Sequence, residues 1–332
     1  MSGDGDAGAL SAAWQVWIAE SLLRGFTEQS VLGRLVEAGM EDEAARAAVR
    51  EIARSPGVIA ARRVHAEPNA AVLACELARA TERIGGARLP VRAAIDEREL
   101  RDVYVAHGVP VLVPGYAAES EAVRGWSPRS LAERFGDAPV RVCVGRDSDP
   151  HPDRRYAAHT IEEPLRDYVA RVLAAGDSND LYMVAQHRNL EGALAALVDE
   201  LPTPPMVERA RRASCTSLWF GPGGTHTPAH HDTTNVLFCQ IYGNKRVWLA
   251  SPAQVSLARG AQGFYAGRAL SAAGVDDLPV YDVTLQPGDL LLIPAGWWHE
   301  VRAMSVSISV SFTGLDVPNR YDFYTPGQLA RA

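Results

Sequence analysis

From residue 217 to residue 312 the chain is a succession of short strand-patterned runs, at 217–220, 234–242, 245–250, 281–285, 290–293 and 305–312, with Pro or Gly between several of them. Runs this short satisfy their backbone N–H and C=O groups only by pairing with one another, so this region must be sheet. No self-similarity recurs at the period of a solenoid or propeller.

Upstream the apolar spacing is helical. Residues 12–23 bring Trp14, Trp17, Ile18, Leu22 and Leu23 onto one broad stripe that ends near Gly25. Thr27 is placed to cap a second helix with Val31, Leu32, Leu35 and Val36 recurring along it, and Glu41, Asp42 and Glu43 suit the start of a third. These helices suit either a packed prefix or a partner-binding unit. Further helices are expected over 69–83, 96–107, 126–135, within 161–173 from near Pro164, and over 190–198, with strands over 108–113, 140–144 and 181–185, and a loop over 145–153. The expected domains are an N-terminal helical unit at 1–66, a helical connector at 67–90 and a catalytic domain at 91–332 with its core motifs in 217–312.

A chain of 332 residues with 47% hydrophobic content buries a core without disulfide or metal staples. Its 33 basic and 40 acidic residues give a net charge of -7, which carries no polyanion-binding signal. Cys75, Cys143, Cys215 and Cys239 form no CxxC pair, which fits free thiols better than a cysteine zinc site. The N-terminus has no basic segment leading into an apolar run, and no apolar stretch reaches the roughly 18 residues of a membrane span. A cytoplasmic protein with no membrane partner is therefore expected, and the sequence carries no strong nucleic-acid signal.

The most informative stretch is Gly221-Pro-Gly-Gly-Thr-His-Thr-Pro-Ala-His-His-Asp232. If 230–232 is extended, the two-residue period turns His230 and Asp232 to one face and His231 to the other. A second imidazole would complete a facial triad that leaves positions open on a metal such as ferrous iron. The best candidate is His299, which follows an apolar strand, a Pro-Ala-Gly turn, Trp297 and Trp298. Sequence distance alone does not show that the three converge. His231 is expected beside the ligand set or at the surface. Gly221-Pro-Gly-Gly224 lacks the spacing of a phosphate loop.

These segments resemble the JmjC-type, cupin-like Fe(II)- and 2-oxoglutarate-dependent oxygenases, and among them the asparaginyl hydroxylase called factor inhibiting hypoxia-inducible factor. The resemblance is strongest from Trp219 to Phe312 and extends more weakly to 108–115, 126–128, 135–137 and 181–186. It implies a mainly β fold with helical decorations: a double-stranded β-helix, the jelly-roll or cupin-like barrel. It also implies Fe(II) held by His230, Asp232 and His299, with 2-oxoglutarate and O2 as cosubstrates. Lys245 falls where a lysine pairs with the distal carboxylate of 2-oxoglutarate, and Thr227 where a hydroxyl helps hold it. Asn235 and Ser311 fall in the same cosubstrate region. Val236 stands where the asparaginyl hydroxylase pattern has an asparagine, and Ser311 replaces a second one, so asparagine specificity does not carry over.

The activity implied is hydroxylation of a peptide or protein side chain. A small-molecule or amino-acid hydroxylase and a catalytically silent cupin-like binding protein are the alternatives. Phe264, Tyr265 and Tyr281 either contact an extended peptide or pack within their loop. A homodimer through the N-terminal helices or the barrel face stays open.

Overall fold

The computed structural model describes residues 10–23, 26–61, 88–207, 212–254, 257, 261, 263–272, 279–317 and 319. These fall into two units. The helix expected over 69–83, and all of the 67–90 connector before residue 88, lie outside the described residues. None of the described helices is long and apolar enough to cross a membrane.

The first unit is built from α1 (Ala12–Leu23), α2 (Glu28–Glu37) and α3 (Asp42–Ala53). The side chain of Thr27 accepts from the Ser30 N–H, and that of Glu41 from the Ala44 N–H, so each of α2 and α3 has one orphan donor satisfied at its start. The stripes read from the sequence meet in one core of Ile18, Leu22, Val31, Leu35, Ala45, Val49 and Ala53. Trp14 and Trp17 pack edge to face at its margin.

The second unit is a mixed α/β domain. Its strands are β1 (Val111–Val113), β2 (Pro139–Cys143), β3 (Thr160–Pro164), β4 (Thr216–Gly221), β5 (His226–His230), β6 (Val236–Tyr242), β7 (Lys245–Ala250), β8 (Tyr281–Leu285), β9 (Leu290–Ile293), β10 (Trp298–Ala303) and β11 (Ser307–Phe312). One antiparallel sheet runs β1-β9-β6-β11-β4, a second runs β5-β10-β7-β8, and β2 and β3 form a separate ribbon. Among the described residues no strand pairing joins the two larger sheets to each other, and isolated bridges from Val91, Met183 and Tyr265 lie against the edge strands β1, β4 and β5.

Strand alternation explains how the sheets layer. Along β6, Val236 and Phe238 join Leu291, Ile293, Val247, Leu249, Leu285 and Val301 in a core shared by the two sheets. Leu237, Cys239 and Ile241 face the other way, into the larger core that includes Leu131, Leu165, Val169 and Phe220. The five-stranded sheet is thus covered on both faces, which is why β9 reads as a continuous apolar run and β6 as one interrupted by Gln240.

Several local expectations change. The helix expected to begin near Pro164 spans Leu165–Ala174, while the residues before it pair with β2 as β3 rather than joining the helix. The 190–198 stretch forms short 3-10 turns at Asn189–Glu191 and Ala195–Glu200. Residues 96–107 give one α-turn followed by a π-helical stretch at Leu100–Val105. β5 ends at His230, so Asp232 lies in the loop that follows it, and β10 is a strand separate from β11.

The β6–β7 turn depends on Gly243, whose φ is +66° and where a Cβ would sit 2.0 Å from the carbonyl oxygen of Val306. Gly243→Ala should destabilise the domain by about 1–3 kcal/mol or more, since left-handed strain and a backbone clash add together. Urea unfolding followed by tryptophan fluorescence measures this, and an unchanged midpoint would contradict it.

Candidate metal centre and adjoining cavity

Register brings the two distant histidines together. β5 and β10 pair antiparallel with His299 directly opposite His230, and the pairing then shifts between His299 and Val301. The imidazole centroids are 4.1 Å apart. Asp232 joins them from the following loop, where its carbonyl accepts from the Gly296 N–H and its Oδ2 lies 3.6 Å from His299 Nε2. One donor atom from each of His230, Asp232 and His299 lies within 4.8 Å of the others.

The tautomers follow from the backbone. His230 Nδ1 lies 2.8 Å from the Pro228 carbonyl and His299 Nδ1 3.0 Å from the Trp297 carbonyl. A carbonyl only accepts, so each Nδ1 carries a proton, and in the neutral ring Nε2 is the atom with a lone pair for another partner. Burial, then the neighbouring His230, pushes the His299 imidazolium down to about 4, which holds His299 neutral as a ligand must be. Two imidazoles and one carboxylate form a 2-His-1-carboxylate set that suits Fe(II) and leaves positions for other molecules.

The triad sits in the wall of a cavity of about 290 Å³, lined also by Asp153, Tyr182, Trp219, Thr227, Val236, Phe238, Lys245, Phe264, Tyr265 and Ser311. Lys245, the first residue of β7, is 1% exposed. Its Nζ donates to Ser309 Oγ at 2.7 Å and to the Tyr182 hydroxyl at 3.2 Å, and lies over the rings of Tyr182 and Phe238. Burial lowers its pKa from 10.5 to about 7. None of the hydrogen-bond partners found for this ammonium is a carboxylate.

The other expected residues separate into two groups. Thr227 is on the cavity wall, and Ser311 is there too, its hydroxyl accepting from Trp219 Nε1 at 3.1 Å. Asn235 is not among the lining residues. Its side-chain oxygen accepts from the Ala295 N–H and its amide nitrogen donates to Asn319, so it ties the loop after Asp232 to the β9–β10 turn. His231 is fully buried, not at the surface, with its ring edge-on to Phe264 and Trp298. Phe264 and Tyr265 line the cavity, whereas Tyr281 stacks on Trp297 and is not a lining residue.

Ser309 and Tyr182 were not singled out from the sequence. The signal for Ser309 is the alternation of Ser307, Ser309 and Ser311 with Ile308, Val310 and Phe312, a polar face on a strand that is buried throughout.

Comparison with known proteins places this geometry. Residues 97–312 match the family model described as "Cupin-like domain". "Jumonji C domain-containing protein 5" of Drosophila melanogaster is 34% identical over 226 residues, covering 62% of this chain and 54% of the relative. "Lysine-specific demethylase 8" of Xenopus tropicalis is 26% identical over 229 residues, covering 64% and 49%. "tRNA wybutosine-synthesizing protein 5" of Danio rerio is 26% identical over 270 residues, covering 72% and 78%. The chain spans about half the length of the first two. These likenesses support the JmjC and cupin-like class and do not show a specific likeness to the asparaginyl hydroxylase.

His230→Ala or His299→Ala should weaken Mn(II) or anaerobic Fe(II) binding by more than about 100-fold, since loss of even an outer hydrogen-bond partner costs roughly 10- to 100-fold. His231→Ala should lower stability, by emptying the space between Phe264 and Trp298, and leave metal affinity within about threefold. Calorimetric titration of the folded variants distinguishes the two effects.

Proposed function

This chain belongs to the cupin-like domain family, and on that premise we propose that it is an Fe(II)- and 2-oxoglutarate-dependent oxygenase that hydroxylates a side chain of a peptide or protein. The observation that carries the reading is the meeting of His230, Asp232 and His299 in the wall of a cavity that also holds a buried lysine with no carboxylate among its hydrogen-bond partners. A silent binding protein would have no need to keep both features intact. The demethylase names of several relatives support a protein substrate.

In this reading His230, Asp232 and His299 hold the iron. Lys245, with the hydroxyls of Ser309, Tyr182 and Thr227 nearby, receives the distal carboxylate of 2-oxoglutarate, and Trp219 orients the Ser311 hydroxyl beside it. Bound iron, 2-oxoglutarate and O2 together supply the oxidising power that removes hydrogen from a C–H bond and delivers an oxygen atom. The chain's task is to exclude water with Val236, Phe238 and Ile293 and to hold the target bond at the triad. Val236 offers no amide where the asparaginyl hydroxylase pattern has one, so asparagine is not assigned as the target. A double-stranded β-helix closed around this cavity is the family architecture that the two sheets approach.

A second reading, a substrate carried on a nucleotide, draws on the wybutosine-synthesizing relative, which aligns over larger shares of both chains than the other two proteins named. A screen of peptides, amino acids and RNA oligonucleotides for substrate-dependent conversion of 2-oxoglutarate to succinate, with mass detection of one added oxygen atom, tests the proposal. Coupled turnover on peptides supports it. Turnover confined to RNA or metabolites moves the substrate class, and metal binding with no turnover on any member contradicts an oxygenase.

Lys245 gives the reading a pH signature. Its ammonium is the form that binds a carboxylate, and burial has lowered its pKa to about 7. The affinity for 2-oxoglutarate should therefore be flat below that value and fall as pH rises through it, approaching about tenfold per unit while the bound pKa stays higher. Lys245→Met should lose roughly 10- to 100-fold in affinity, the scale of a charge-assisted hydrogen bond, and should abolish the pH dependence. Calorimetry with Mn(II) present, across a pH series, reads both.

A further inference from the structure

Residues 263–271 form a strap whose 264–266 stretch bonds to the edge of β5 that β10 leaves uncovered. The His231 N–H donates to the Phe264 carbonyl at 3.0 Å, Tyr265 makes a bridge to His230, and the Ala266 N–H donates to the Ala229 carbonyl at 2.8 Å. The strap thus carries Phe264 and Tyr265 into the cavity wall, the Tyr265 ring 5.9 Å from that of His230.

Its far end is held by a carboxylate with no part in the metal geometry. Glu300 follows His299 on β10, so strand alternation turns it to the opposite face. It is 1% exposed. Its Oε2 accepts from the N–H groups of Leu270 at 2.7 Å and Ser271 at 3.2 Å, and its Oε1 accepts from the Ser271 hydroxyl and lies 2.9 Å from His226 Nε2. A buried carboxylate is tolerated only when its oxygens are satisfied, and here three of the four donors come from the strap. None of Leu270, Ser271, His226 or Glu300 lines the cavity.

We propose that Glu300 is a positioning residue for the substrate: from the outer face of the strand that carries His299 it clamps the strap and so fixes Phe264 and Tyr265 as the substrate-facing wall. What the wall receives rests on the oxygenase reading; the clamp does not. Metal and 2-oxoglutarate bind through the inner face and should be indifferent to its loss.

The test compares the full chain with Glu300→Gln and Ser271→Ala. The Glu300→Gln substitution would turn an amide nitrogen toward donors, while the serine variant removes one donor and leaves the carboxylate. In hydrogen exchange, protection of peptides covering 264–271 should fall at least about tenfold in Glu300→Gln while β6, β9 and β11 keep theirs. Affinities for Mn(II) and 2-oxoglutarate should stay within about twofold, and KM for the substrate found by the screen should rise roughly tenfold with kcat within about threefold, the pattern of lost binding. Unchanged strap exchange, metal affinity falling in step with it, or a kcat loss at constant KM would overturn the proposal. Should Glu300→Gln fail to fold, Ser271→Ala decides by the same signs at smaller size. Should no substrate emerge, the oxygenase reading fails, while strap exchange and Mn(II) affinity still decide the clamp.

Discussion

The cross-strand pairing of His230 with His299 is the constraint on which the rest of the site depends. Two imidazoles 4.1 Å apart repel each other if both are protonated, and the structure opposes this by burying His299. Burial opposes charge on His299, and each ring gives its Nδ1 proton to a carbonyl two residues back in its own strand or the turn before it, Pro228 for one and Trp297 for the other. The Nε2 lone pairs are therefore set by local backbone, and register alone decides whether they meet. A slip of one residue would replace one member of the pair by its neighbour, Ala229 or Trp298, and turn the histidine of the shifted strand to the other face.

The two sheets divide the work. β5 and β10 belong to the smaller sheet and, with the loop after β5, supply the metal-binding donors. Lys245 also starts in the smaller sheet but reaches across the gap to Ser309 on β11 of the larger one. The proposed cosubstrate position thus lies between layers packed by Val236, Phe238, Leu249 and Leu291, where an ammonium is costly unless an anion arrives. The lowered pKa of Lys245 and its lack of a carboxylate among its hydrogen-bond partners express the same fact. On the other side of β10, Glu300 directs a second set of hydrogen bonds outward, so one strand serves metal and strap with consecutive residues.

Legibility in the sequence followed periodicity. The stripes of Ile18, Leu22, Val31, Leu35 and Val49 predicted α1–α3, and the apolar runs of β6, β7 and β9 predicted their strands, because in each case one spacing repeats over a full element. The His230-x-Asp232 pair and His299 were legible as ligand types, but their convergence was not, since it depends on which strands pair. Extension over 230–232, the condition under which the pair shares one face, holds only to His230, since β5 covers His226–His230, a strand that Thr227-Pro-Ala gives no apolar alternation to mark. Asn235 illustrates the reverse: its position beside the motif suggested a cosubstrate role, while the structure gives its amide to Ala295 and Asn319. The Glu300 clamp had no sequence signal, because its partners at Leu270 and Ser271 are mostly backbone N–H groups, which every residue but proline possesses.

The most direct test of the account is an anaerobic crystal structure of the chain with Fe(II) and 2-oxoglutarate, the metal located by anomalous scattering at the iron edge. The account predicts iron bound by His230 Nε2, Asp232 and His299 Nε2, with the distal carboxylate of 2-oxoglutarate against Lys245 Nζ and Ser309 Oγ. Iron held by His231 or His226, or 2-oxoglutarate bound away from Lys245, would contradict it.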